Sequence, residues 1–385
     1  MLRRMSLLVI VLAVLSACSS GSDDAGDAGS GTTPPTSAAT ATGYPLDDTL
    51  RLDQAQVLGS HNSYHGRPYK AVLDELAKLD KATALGLDYE HAPLPEQFDL
   101  GVRQIELDVY ADPAGGKYAD LGLATQLGVK VPENPEWKDP GFKVIHQAGI
   151  DNNSTCVTFV ACLKQLKTWS DAHPGHVAMQ VQVEMKDPNE NIDKATFATL
   201  QLEIEGVFDA DEIITPDIVR GDAKTLGAAV KAHGWPTLGA TRGKVYFTLD
   251  NEGLRDKYIA GNPSLKGRVL FTPSSPGEPD AAFAKLNDPF DTEKIKAALA
   301  ANMIVRTRAD ADTLQARAND MRAATAALSS GAQIVSTDYE QPDPTIGNGY
   351  TVKIPGGTPA RCAPGYSPAN CKPTDIENPD YLTTR

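Results

Sequence analysis

From about residue 50 to residue 340, short apolar runs alternate with amphipathic stretches. Strand-like runs fall at 55–60, 103–110, 142–146, 177–186, 244–250, 268–272, 302–308 and 333–338. Helical periodicity occupies 67–80, 158–172, 192–208, 222–233, 291–301 and 311–329. In the third of these stretches Ile192, Leu200, Ile204 and Val207 recur on one helical face. Strands separated by helices in this order predict an α/β fold, a (β/α)8 TIM barrel as a single catalytic domain. The competing doubly wound sheet lacks its glycine-rich phosphate signature here.

Four of the apolar runs end in chemistry-bearing residues: Leu58-Gly59-Ser60-His61-Asn62, Ile105-Glu106-Leu107-Asp108, Val144-Ile145-His146 and Val183-Glu184-Met185-Lys186. Strand side chains alternate between two faces, so Glu106 and Asp108 share one face while Ile105, Leu107 and Val109 share the other. Gln180, Gln182, Glu184 and Lys186 alternate in the same way with Met179, Val181, Val183 and Met185. A barrel carries its site at the C-terminal ends of its strands, where His61, Glu106, Asp108, His146 and Glu184 all fall.

Carboxylates gathered there repel one another unless a cation sits among them. Glu106, Asp108 and Glu184 are therefore candidate ligands of a hard divalent cation, with Asn62 adding an amide oxygen. An all-oxygen set suits calcium better than magnesium, which keeps more of its water. The plain alternative is a half-exposed strand with its acids in solvent. His61 and His146 are candidate acid–base groups, because imidazole titrates near the working pH. Each could instead be a hydrogen-bonded structural histidine.

Other polar positions are open to two readings. Lys186 could neutralise a phosphate or simply pair with Glu184. Arg306 and Arg308 share a face and could read phosphate or vicinal hydroxyls, or serve as structural ion-pair partners. Asp250 and Asp338, closing their strands, could touch a polyol or cap the next helix. His65, His91, His173, His176 and His233 have no acidic company in the sequence, with His91 the candidate to stand behind the site.

The N-terminus bears on location. Arg3 and Arg4 precede an apolar core at Leu7–Leu15, too short to span a bilayer as a mature helix, and Leu15-Ser16-Ala17-Cys18 matches a bacterial lipobox. The expectation is an exported lipoprotein, lipidated on Cys18 and anchored to the outside of the cell membrane. Residues 19–45, rich in Gly, Ser, Thr, Ala and Asp, form a tether. Five cysteines is an odd count, and Cys18 explains it. Of three connectivities open to the rest, Cys156–Cys162 with Cys362–Cys371 is the simplest. Six residues cannot be bridged within one helix, so Cys156 belongs in a loop before a helix starting near Thr158.

The formal charge of −14 disfavours attraction to nucleic acid or anionic lipid, so membrane contact must come from the lipid anchor, from metal bridging or from a local patch. The length after the tether suits one domain at 46–340, expected to be monomeric, followed by a Pro- and Gly-rich, disulfide-stapled extension at 341–385.

Ser60-His61-Asn62-Ser63-Tyr64, Gly101-Val102-Arg103-Gln104-Ile105-Glu106-Leu107-Asp108, Val144-Ile145-His146 and Val183-Glu184 resemble the catalytic region of bacterial calcium-dependent phosphoinositide-specific phospholipase C, over roughly residues 50 to 340. The resemblance implies a distorted TIM barrel with calcium held by Asn62, Glu106, Asp108 and Glu184. It implies a phosphoinositide substrate and attack by the inositol 2-hydroxyl on its own phosphodiester, releasing diacylglycerol and inositol 1,2-cyclic phosphate. A carboxylate, Glu106 or Glu184, would take the proton, His146 would protonate the leaving oxygen and His61 would stabilise the transition state. A basic pair able to read extra ring phosphates is not located, which points to plain phosphatidylinositol.

The nearest rival is a glycerophosphodiester phosphodiesterase of the same superfamily. Glu184-x-Lys186 and Val335-Ser336-Thr337-Asp338 fit it, but that family follows its first histidine with arginine, where this chain has Asn62. A glycoside hydrolase would leave both histidines and Asn62 unexplained. A non-catalytic, surface-anchored binding protein would leave the whole polar set without a purpose.

Overall fold

Val102–Tyr110 (β2) is buried at every position, on both faces, so something must cover its outside and fill its inside. The computed structural model, which describes residues 43–186 and 191–381, shows how. The strands are Ala55–Ser60 (β1), β2, Lys143–Val144 (β3), Met179–Lys186 (β4), Val245–Leu249 (β5), Leu270–Phe271 (β6), Phe283–Lys285 (β7), Ile304–Arg308 (β8), Ile334–Thr337 (β9) and Ala360–Cys362 (β10). Eight of them run parallel in the order β6-β5-β4-β2-β1-β9-β8-β7. A lone parallel bridge from Pro273 to Phe283 brings the two ends of this sheet together, leaving a barrel that is nearly closed.

The alternation works as the sequence predicts. Ile105, Leu107, Val109, Val181 and Val183 are fully buried in the core cluster shared with the surrounding helices. The opposite face is unusually polar for a barrel interior, with Gln104, Gln180, Gln182, Thr248, Arg306 and Ser336 all buried. Gly59 permits one close approach: a Cβ there would lie 1.8 Å from Gln104 Oε1.

Three expectations need correction. The 142–146 run is not a barrel strand. Only Lys143–Val144 is extended, and it pairs antiparallel with the end of β2, Val109 facing Val144. Its apolar residue Ile145 joins Tyr110, Tyr118, Leu121 and Trp137 in a small separate core under the 111–142 insertion. The missing strand is β7, whose three residues are too few to show a period. The 311–329 stretch is two helices, Leu314–Ala318 and Arg322–Ser329, because Asn319 turns left-handed at φ 50°.

The leader, Cys18 and the tether up to residue 42 lie outside the described residues. Both local disulfides form, Cys156–Cys162 and Cys362–Cys371. Thr158 caps the helix Phe159–Ala172, its hydroxyl accepting from Ala161 N–H at 3.1 Å, so Cys156 sits in the preceding loop. No helix among the described residues is long and apolar enough to cross a membrane.

The segment after residue 340 packs against the barrel. β10 pairs antiparallel with the first half of β1, Ala55 facing Cys362. Further on, the buried Glu377 carboxylate accepts from Arg103 Nη2 at 2.7 Å and Nε at 2.9 Å, and the guanidinium lies 4.6 Å from the Trp169 ring. Glu377→Ala removes the only carboxylate seen on that guanidinium among the described residues and leaves its Nη1 on the Phe98 and Val102 carbonyls. Urea unfolding is expected to show a loss of about 3–5 kcal/mol, most of it recovered when Arg103→Met is combined with Glu377→Leu.

Candidate active site

The parallel register of β2 and β4 sets Asp108 opposite Glu184 and Glu106 opposite Gln182. Glu106, Asp108 and Glu184 each bring an oxygen within 4.8 Å of the others'. Asp108 is fully buried, while Glu184 is half-buried at the mouth. Burial is the main cause that pushes Glu106 up to about 8, with Asp250, Asp108 and Glu184 adding to it against Arg306. Burial and Glu184 likewise push Asp108 upward, opposed by Lys186. A bound cation reverses that strain on the acids.

The donor set fits a hard cation. Asn62 takes a left-handed backbone, φ 47°, which asparagine tolerates, and its Nδ2 donates to Tyr89 Oη at 3.2 Å. Its Oδ1 is buried without a hydrogen-bond partner, as is Asp108 Oδ1. Buried oxygens left unpaired are costly, and coordination would satisfy them. Glu106 Oε2 is meanwhile tied to Arg306 Nη2 at 2.6 Å and Gln182 Nε2 at 3.2 Å.

The two histidines are held differently. Ser60 of β1 faces Thr337 of β9, so the next residues, His61 and Asp338, stand side by side. Asp338 Oδ1 lies 2.7 Å from His61 Nδ1; a carboxylate only accepts, so that nitrogen carries the hydrogen. His61 Nε2 then turns toward Glu106, 3.8 Å from its Oε1. Burial, with Arg308, pulls the His61 pKa down to about 3 against the opposing pull of Asp338. His146 follows β3 instead of a barrel strand, and its Nδ1 donates to Asp151 Oδ2 at 2.8 Å.

Arg308, Arg306, Lys186 and Asp250 all point into this mouth, and each is already paired. Arg308 Nη2 donates to Asp338 Oδ2 at 2.9 Å, and Lys186 Nζ lies 2.9 Å from Glu184 and 3.1 Å from Asp108. Asp250 accepts from Gln182 at 2.6 Å and from Lys285 at 2.9 Å. Neither Asp250 nor Asp338 caps a helix.

Sequence reasoning left three partners out. Asp151 and Lys285 have no local signature; Lys285 ends the strand that periodicity misses. His65, read as lacking acidic company, donates from Nε2 to Asp151 Oδ2 at 2.8 Å. His91 does stand behind the site: Nε2 meets the His61 carbonyl at 2.8 Å and Nδ1 meets Glu340 at 2.9 Å. Both neighbours only accept, so both ring nitrogens carry hydrogens and His91 is an imidazolium.

A family model described as phosphoinositide phospholipase C, Ca2+-dependent, matches residues 50–364. The chain belongs to that family. It is accordingly a phosphodiesterase of the calcium-dependent phosphoinositide phospholipase C type. No curated protein sequence matches it. Two solved structures of a calcium-dependent phosphoinositol-specific phospholipase C from a Pseudomonas species are similar in fold. One is an apo form and the other a myoinositol complex. Each has a TM-score of 0.50 at 18% identity, covering 83% of this chain and 97% of the solved one. At that identity the likeness bears on the barrel and not on the site.

Two measurements check this family member's site. Calcium binding to the folded state is expected to raise the melting temperature, and Asp108→Asn to abolish most of that rise. For His91 burial opposes charge, but Glu340 and the His61 carbonyl lift its pKa to about 9, above the unfolded 6.5. Its stabilisation is therefore complete below about pH 6.5 and lost as pH rises through 9. The stability gap between wild type and His91→Gln, from denaturant melts, should be widest near about pH 6 and shrink toward about pH 9.5.

Proposed function

We propose that the protein cleaves phosphatidylinositol to diacylglycerol and inositol 1,2-cyclic phosphate. The carrying observation is the convergence of Glu106, Asp108 and Glu184 beside two histidines, each fixed by its own aspartate. Glu106, Asp108, Glu184 and Asn62 would hold the calcium. When bound, calcium supplies charge that lowers the pKa of the attacking hydroxyl and offsets the negative charge developing on phosphorus.

The chain's own residues supply the proton traffic. His61 is neutral, with Nδ1–H on Asp338 and Nε2 open toward the acids, which is the state a proton acceptor must start from. Asp338 stabilises the imidazolium formed when His61 takes the proton of the 2-hydroxyl. This geometry favours His61 over a carboxylate for that role, since Glu106 is engaged by Arg306 and Gln182. His146, oriented by Asp151, gives its proton to the departing diacylglycerol oxygen. Lys186 and Arg308, at the rim of the same mouth, favour an anionic phosphodiester.

The substrate preference follows from the paired state of the cations. Beyond Lys186 and Arg308, the mouth offers Arg306 and Lys285, and each faces a carboxylate, which supports an unphosphorylated inositol ring. A lipid anchor on Cys18, supported by the Leu15–Cys18 motif, would hold the enzyme beside its substrate outside the cell.

Phosphorus NMR of products from phosphatidylinositol tests the reading. The expected result is a cyclic phosphodiester signal, abolished by chelator and reduced about 10²–10⁴-fold by His146→Ala. An unchanged rate in chelator would overturn the calcium role. Hydrolysis of glycerophosphoinositol with phosphatidylinositol left intact would move the activity to the glycerophosphodiester phosphodiesterase class.

A further inference from the structure

His146 shares its aspartate. Asp151 Oδ2 accepts from His146 Nδ1–H and from His65 Nε2–H, each at 2.8 Å, with the two rings 5.8 Å apart and nearly perpendicular. Asp151 and His65 are buried, and Asp151 Oδ1 and His65 Nδ1 have no hydrogen-bond partner. Because the carboxylate only accepts, both facing nitrogens carry hydrogens. His65 is then neutral, since a second proton would put an unpaired donor on its buried Nδ1. His146 differs. Its Nδ1 is committed to Asp151 and its side chain is partly exposed, so Nε2 is the nitrogen left to meet a substrate.

The backbone makes this arrangement rigid. Gly66 N–H donates to the Asn153 carbonyl at 3.0 Å and Thr155 N–H to the Tyr64 carbonyl at 2.8 Å, tying the loop after β1 to the loop after β3. Asp151 N–H closes a turn onto the Gln147 carbonyl at 2.8 Å. His65 stacks on Tyr89, ring centroids 4.3 Å apart, and Tyr89 holds Asn62.

We infer that His65 is a positioning residue that clamps Asp151 against His146 and moderates how strongly the carboxylate holds the imidazolium of His146. One oxygen serving two N–H donors is a weaker acceptor for each than the same oxygen serving one. The moderated acid releases its proton to the leaving oxygen more readily than a dyad of Asp151 with His146 alone. The inference rests on the reading of His146 as general acid. The titratable and charged groups facing the trio are Tyr64, Tyr89 and Tyr110, with Asp108 behind Tyr64, His91 against Tyr89 and Lys186 near Tyr110. Burial pushes all three tyrosines upward, so they stay neutral near pH 7.

The test uses the full chain with three variants: His65→Phe removes the donor, His65→Gln keeps an N–H, and Asp151→Asn removes the carboxylate charge. A general acid works while protonated, so kcat falls as pH rises through its pKa. In His65→Phe that falling limb is expected to move up by about 0.5–1 pH unit. In His65→Gln it should stay at the wild-type position, and in Asp151→Asn it should move down with at least a tenfold loss of kcat at about pH 7. The His146 ring titration, followed by NMR of histidine-labelled, calcium-free protein, should shift in the same directions. If His65→Phe does not fold, His65→Met replaces it. A His146 titration and a kcat limb both unmoved by removal of the His65 donor overturn the inference. Wild-type protein inert toward phosphatidylinositol would instead overturn the proposed function, while the NMR titration still decides the coupling of His65 to His146.

Discussion

Negative charge buried at one end of the barrel is the constraint on which the rest of the site depends. Glu106, Asp108, Asp250, Asp310 and Asp338 are all buried within reach of one another's fields, with Glu184 at the edge. Carboxylates removed from water must be paired or neutralised. The chain answers with cations, most of them carried on other strands: Arg306 on Glu106, Lys285 on Asp250, Arg308 on Asp338, and Lys186 both on Asp108 across the sheet and on Glu184 of its own strand. The glutamine layer beneath, Gln180 and Gln182, replaces the aliphatic layers of an ordinary barrel, and Gln182 donates to two of those acids. What the side chains do not satisfy, the unpaired oxygens of Asn62 and Asp108, is what the proposed calcium would satisfy.

The same distribution of charge separates the two histidines. His61 sits between Asp338 and the acid cluster, on a strand end fixed by the β1–β9 register, with a buried imidazolium at His91 beneath its carbonyl. His146 hangs from an irregular segment held by backbone bridges to the His61 loop, and its aspartate is shared with His65. Two imidazoles of one residue type thus meet different fields, the difference on which the proposed division into proton acceptor and proton donor rests.

Much of the fold was legible because it is periodic. Seven of the eight barrel strands announce themselves as apolar runs, and the inward face of β2 and β4 reads directly from alternation. β7 did not, since Phe283–Lys285 is too short for a period and its neighbours are rich in Pro and Gly. The 142–146 run misled for the opposite reason: Phe142 and Val144 are apolar because they pack onto the main core and Ile145 because it fills the small separate one, not because the run forms a barrel strand. The segment after residue 340 carried no visible sign that Glu377 neutralises Arg103 or that Arg361 lies along β1.

The sequence by itself determined which residue types could meet: the acids and Asn62 at strand ends, two histidines near them, and two local cysteine pairs. These are short-range facts, set by a two-residue strand repeat and by spacing along the chain. The tertiary structure decided which charge sits on which partner. Arg306 reaches Glu106 across 200 residues, Asp338 reaches His61 across 277, and Asp151 collects His65 from 86 residues away. Pairings of that range depend on barrel closure and register, which bring distant strand ends to the same mouth, and no local pattern of side chains encodes them.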